Sequence, residues 1–196
     1  MPVSPASGPR SWRYRWLKWQ AMAWLVIGDR RRAALVFDEM LARFPGDPYA
    51  RMSRAHLRAQ AGQKEGALDD YAQLLESHPR HGAAAWFNYG FLLEESGRYD
   101  DAEHAFRRAV ELDPKLDRAW YGLGLVLIRA HRFDEAVQAL KRNTELQPMS
   151  PYGWYQLARV HMDRHEPEEA AKIIRHLKGF EPKVAAQLER ETGLAV

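Results

Sequence analysis

Residues 86–114 read WFNYGFLLEESGRYDDAEHAFRRAVELDP, and residues 120–148 read WYGLGLVLIRAHRFDEAVQALKRNTELQP. Set one beneath the other, they align Trp86 with Trp120, Gly90 with Gly124, Ala102 with Ala136 and Pro114 with Pro148, each 34 residues apart. Trp154 follows after another 34. A fixed period of this size signals stacked repeats, and it decides the fold before any single helix is considered. Working outward, alanines recur at Ala33, Ala67, Ala102, Ala136 and Ala170, with gaps of 34, 35, 34 and 34. Prolines at Pro45, Pro79, Pro114, Pro148 and Pro182 keep the same gaps. Gly28, Gly62 and Gly97 follow the period, and His131 and His165 take the next two slots.

Each period reads as two helices. Trp86, Tyr89, Gly90 and Leu93 form one helical face. Gly97 breaks the helix, because glycine tolerates the left-handed conformation that ends helices. Ala102, Phe106, Ala109 and Val110 form a second face. Asp113-Pro114 stops it, since proline disfavours a helical conformation in the residue before it. Small residues at Gly90 or Gly124 and at Ala102 or Ala136 let the paired helices approach closely.

These residues resemble the tetratricopeptide repeat family. Residues 86–114 carry Trp86, Tyr89, Gly90, Leu93, Ala102, Phe106 and Pro114 at the family's offsets, and the next period carries Trp120, Leu123, Gly124, Leu127, Ala136, Leu140 and Pro148. The fifth is weaker, with Trp154, Leu157, Ala158, His161, Ala170, Ile174 and Pro182. The first has Leu17, Ala21, Trp24, Ala33, Phe37 and Pro45. The resemblance implies an all-α, right-handed solenoid of five tandem helix-turn-helix repeats plus a short C-terminal helix. The expected organisation is a flexible tail at 1–10, repeats at 14–47, 48–82, 83–116, 117–150 and 151–184 within a domain of 11–184, and a capping helix at 185–196.

The second repeat departs most. It has Ala55, Ala67, Tyr71, Leu74 and Pro79, but no aromatic residue at its start. In strict register its first helix places Arg51, Arg54 and Arg58 at core positions, and an unpaired buried charge is costly. Sliding the helix by one residue buries Met52, Ala55 and Ala59 instead. The slid register is the expectation, with the direction of the arginines left open.

Composition narrows the function. The chain has 196 residues, 46% hydrophobic and 28% charged, enough to bury a core. The absence of cysteine excludes a disulfide framework, a thiolate zinc site and cysteine catalysis. A net charge of +3 is a weak case for nucleic acid. Residues 1–9 carry three prolines and no charge and do not read as a signal peptide. No apolar run approaches a membrane span. The expectation is a cytoplasmic bacterial protein, with a peripheral contact to the inner membrane left open.

No catalytic signature stands out: no phosphate-cradling glycine loop, nucleophile elbow or metalloprotease motif. His161 and His165 are four apart but lack a third ligand nearby, so they read as structural residues, as do His78 and His81. Glu94, Glu95, Asp100 and Asp101 read as a solvated face. The chain is therefore expected to be non-enzymatic, with no cofactor, metal or small-molecule substrate. A chaperone-tail clamp is not expected either: Lys18 fits its first lysine, but Met22 and Ser53 occupy asparagine slots.

The resemblance implies a concave groove lined by the first helix of each repeat. Lys18 and Met22 face it, then Phe87 and Phe91, Tyr121 and Leu125, and Tyr155 and Arg159, with Arg118, Arg129 and Tyr152 nearby. Phe87, Tyr121 and Tyr155, 34 apart, form an aromatic ladder. Tyrosine is common at that slot; the arginines are less expected and favour a peptide groove, because aromatic and arginine side chains dominate interface hot spots.

Tryptophan is the odd entry in the composition. Four of the seven fall in the first 24 residues. On a helical wheel Leu17, Ala21 and Trp24 point towards the second helix, while Trp12, Trp16, Trp19, Ala23 and Val26 point almost oppositely. In later repeats that second face packs on the preceding repeat, and the first has none. The tryptophans, flanked by Arg13, Arg15 and Lys18, therefore read as an interaction surface. Residues 1–47 hold eight basic and four acidic residues, hence +4, and residues 83–116 hold four basic and seven acidic, hence −3. The leading expectation is an adaptor, scaffold or assembly factor that binds a protein partner, a peptide segment or a folded subunit, through the groove and the tryptophan face. The alternatives are a chaperone of an exported or assembled protein and a peripheral membrane scaffold. The tryptophan face also suits a homodimer contact.

Overall fold

The structure, a computed structural model, describes residues 11–196; the expected tail at 1–10 lies outside the described residues. Among the described residues every regular element is a helix. The chain divides into two compact units, one ending at His81 and the other starting at Gly82. The first holds α1 (Trp12–Ile27), α2 (Arg30–Arg43), α3 (Pro48–Gln60) and α4 (Lys64–Ser77). The second holds α5 (Ala83–Glu95), α6 (Tyr99–Leu112), α7 (Asp117–Arg129), α8 (Phe133–Leu146), α9 (Pro151–Asp163), α10 (Pro167–Lys178) and α11 (Pro182–Thr192). Among the described residues the architecture is five helix-turn-helix pairs followed by a single helix.

The period read from the sequence is a set of structural slots. Ala33, Ala67, Ala102, Ala136 and Ala170 are all completely buried. Phe37, Tyr71, Phe106, Leu140 and Ile174, four residues further along, are each at most 1% exposed. An alanine on the second helix of a pair thus brings the backbones together, and the large side chain one turn later fills the space beyond. Truncating such a side chain typically destabilises by about 3–5 kcal/mol. The turn inside each pair needs a left-handed residue. Gly28, Gly62 and Gly97 supply it with φ of 87°, 74° and 75°, and His131 and His165 adopt φ of 56° and 59°. The starts of α1, α2 and α3 follow ordinary capping chemistry. Ser11, Asp29 and Asp47 accept backbone N–H groups three residues on, at 3.2, 2.9 and 2.6 Å. The final helix begins at Pro182, three residues before the expected start; this proline occupies the first turn of α11, where its missing N–H is harmless.

The slid register for α3 is wrong. Trp120 and Trp154 each donate an indole N–H to the carbonyl of the proline six residues earlier, Pro114 and Pro148, at 3.0 and 2.8 Å. Arg51 donates to the Pro45 carbonyl, also six residues earlier, so an arginine fills the tryptophan slot in strict register. Arg54 and Arg58 then point inwards, and Ala55 is buried while Met52 and Ala59 are only half-buried. Unpaired burial was the objection, and it does not hold. The Asp70 carboxylate, 2% exposed, takes Arg54 at 2.6 and 2.9 Å and Arg58 at 2.9 Å. Asp38 takes Arg54 from outside at 2.8 Å. Asp70 stands where the next two periods place Ala105 and Ala139. The arginines and the aspartate are therefore one compensated substitution, held by charge-assisted bonds.

Candidate functional site

The second unit presents the first helices of its pairs, α5, α7 and α9, with α11 packed against α9 and α10. Each of these helices buries one stripe and leaves another to solvent. Ala85, Leu92 and Leu93 of α5, Leu123, Val126 and Leu127 of α7, and Leu157, Ala158 and Val160 of α9 form the buried stripes. Helical spacing then places Phe87 and Phe91, Tyr121 and Leu125, and Tyr155 and Arg159 away from the core. Phe91 and Tyr152 are exposed; Phe87, Tyr121, Leu125 and Tyr155 are half-buried; Arg118, Arg129 and Arg159 are exposed.

Three local groups result. The first joins α5 to α7. Phe87 stacks with Phe91 at 6.4 Å and leans on the buried Phe106 at 6.0 Å, and the Arg118 guanidinium lies 4.9 Å from the Phe87 ring centre. The second is at the other end of α7, where Arg129 lies over the Tyr99 ring at 4.9 Å and faces Glu94 at 3.7 Å. The third is on α9. Arg159 lies 5.7 Å from the Tyr155 ring, and the Tyr155 hydroxyl donates to Glu191 of α11 at 2.7 Å. That bond, then burial, raises the Tyr155 hydroxyl above its ordinary pKa, and bonds from Gln187 and then Tyr155 lower Glu191 below the usual carboxylate value. Tyr155, Arg159, Met162, Asp163, Glu191 and Thr192 enclose an open cleft of about 460 Å³.

The nine expected groove residues thus lie on the first helices of three successive pairs, though not as a stacked ladder: Phe87, Tyr121 and Tyr155 are separate rungs. Cation–π contacts hold the arginines against rings, each stabilising by roughly 0.5–1 kcal/mol at exposed sites. Glu94, Tyr99 and Glu191 were not foreseen. Nothing in the period marks Glu191, because α11 lies beyond the repeats and its face is fixed by packing on α9 and α10. In the first unit Trp12, Arg13, Arg15, Trp16, Trp19 and Val26 are all exposed. Lys18 lies over the Tyr49 ring at 4.3 Å, and Met22 accepts a hydrogen bond from the Tyr49 hydroxyl at 3.2 Å. His161 is buried with Nδ1 2.7 Å from Glu166, whose other oxygen meets Arg164 at 2.9 Å; His165 sits in the left-handed turn.

The family profile described as Tetratricopeptide repeat matches residues 20–81, 52–116, 92–151 and 121–179. A 70-residue stretch is 37% identical to Small glutamine-rich tetratricopeptide repeat-containing protein 2 of Mycosarcoma maydis; it covers 36% of this chain and only 20% of that protein. Among solved structures, residues 41 to the end of MamA from Desulfovibrio magneticus RS-1 superpose with a TM-score of 0.76 at 19% identity, covering 94% of this chain and 99% of that one. YrrB, a TPR protein with an unusual peptide-binding site, gives 0.79 at 18% identity over 87% and 88% of the two chains. At such identities the superpositions speak for the fold, whereas the profile matches run through most of the chain. The chain belongs to the tetratricopeptide repeat family, whose members are protein-interaction modules.

Proposed function

We propose that the chain is a non-catalytic adaptor or assembly factor that binds a segment of a protein partner along the outward face of α5, α7 and α9. The observation that carries the reading is the combination of Phe91 and Tyr152, exposed large apolar rings, with Arg118 and Arg159 lying against Phe87 and Tyr155. Buried hydrophobic faces need no such arginines. An interface does, because a guanidinium resting on a ring is pre-positioned to meet a carboxylate while the ring takes an apolar side chain. The partner segment is accordingly one with acidic and apolar residues interleaved. The peptide-binding description of YrrB, a protein of similar fold, supports a peptide-like ligand.

The test is affinity capture from the native cell with quantitative mass spectrometry. Tyr121→Ala with Tyr155→Ala should lower recovery of a specific partner at least tenfold, as loss of two interface rings would, while circular dichroism stays unchanged. A full set of partners recovered with these variants and with Arg118→Glu sinks the proposal.

A further inference from the structure

Helix α1 lacks the polar outer face of an ordinary surface helix. Tyr14, Leu17 and Ala21 are buried against its own unit. The opposite face is also apolar, with Trp12 75%, Trp16 53%, Trp19 64%, Val26 84% and Ile27 70% exposed. Helical spacing sets these five on one stripe along the helix. Trp16 and Trp19 stack, with ring centres 5.6 Å apart and planes 21° from parallel, so the stripe presents a ready-made aromatic ridge. Arg13 flanks it on one side and Arg15 on the other, both exposed. The helix carries three basic residues and no acidic one.

We infer that this face docks on an anionic lipid surface, with α1 lying parallel to the membrane. The residue types match that environment: indole rings favour the boundary between headgroups and acyl chains, and flanking arginines reach anionic headgroups. A second copy fits worse. Two α1 faces brought together would oppose Arg13 and Arg15 of both copies with no carboxylate on either helix to offset them. The exposed face of α11, at the other end of the chain, is polar, with Lys183, Gln187, Arg190 and Glu191, and offers the ridge little apolar surface.

Vesicle flotation of the full chain tests this. It should float with vesicles of phosphatidylglycerol in phosphatidylcholine and not with phosphatidylcholine alone, and added salt should weaken binding. Trp16→Ala with Trp19→Ala, and separately Arg13→Glu with Arg15→Glu, should each reduce binding on the order of tenfold or more. These side chains are exposed, so circular dichroism should match the parent. No flotation at low salt overturns the inference. So does flotation that survives both pairs of substitutions. If deleting residues 2–10 is required before any binding appears, the chain's own N-terminus covers the ridge, and the inference fails for the intact protein. A dimer that both pairs abolish, without flotation, assigns the face to a second copy.

Discussion

At the scale of residues, the second helix pair shows how a repeat absorbs a substitution that breaks its pattern. Asp70 alone between Arg54 and Arg58 would be a buried charge; with them it is part of a closed set of bonds. Asp70→Asn should destabilise the protein by about 3 kcal/mol, because it leaves two inward arginines with only the half-exposed Asp38 as counter-charge. Replacing all three residues with the types found two periods on, as Arg54→Leu, Arg58→Leu and Asp70→Ala, should restore stability to about the parent value or above it. Urea titration of both variants checks the pair, and a mild Asp70→Asn would contradict the account. A second compensated pair lies in the other unit. A Cβ on Gly153 would meet Oδ1 of Asn143 at 2.1 Å. Gly153→Ala should therefore destabilise by roughly 1–3 kcal/mol, and Asn143→Ala should rescue part of that loss in a double-mutant cycle. Neither compensation was legible in the sequence. Periodicity reports which slots are buried, but Asp70 lies sixteen residues from Arg54 and its partnership exists only after α3 and α4 pack.

At the scale of elements, the sequence was a better guide. Helix breaks at Gly28, Gly62 and Gly97 were legible because a left-handed turn leaves little choice of residue, and His131 and His165 took the same conformation at the same slots. A non-glycine residue is strained there, so His165→Gly should stabilise by about 0.5–1 kcal/mol, read as a higher urea midpoint. What the sequence could not show is how successive helix pairs are fastened to each other outside the core. Arg107 and Arg132 each bond both Glu103 and Glu135, at 2.7–2.8 Å, tying α6 to α8. Bonds from Arg132 and then Arg107 lower Glu135 below its ordinary pKa. A depressed carboxylate contributes stability above its unfolded pKa and loses that contribution as pH falls through the folded one. Arg132→Gln should thus lower the melting temperature at neutral pH, and the gap from the parent should shrink in acid below the usual carboxylate range. A gap that persists unchanged in acid would remove the carboxylates from the explanation.

At the scale of the whole molecule, the one irregular step in the period has a structural counterpart. The 35-residue gap between Pro79 and Pro114 inserts a residue beside Gly82, which takes φ of 144° and begins the second compact unit. A fragment of residues 82–196 should remain helical and unfold cooperatively, since α5 to α11 carry their own continuous core; a non-cooperative melt would contradict that division. The repeats were legible because five copies reinforce one pattern. The proposed interaction face was legible only as positions, because a period states where a side chain points and not what it meets. The central claim, that α5, α7 and α9 present the partner-binding face, is tested most directly by photo-crosslinking in the native cell, with a photoreactive residue at Phe91 or Tyr152 and a control at Gln138 on α8. The account predicts adducts to the same partner from positions 91 and 152 and none from 138. Adducts from 138 alone, or equally from all three, would contradict it.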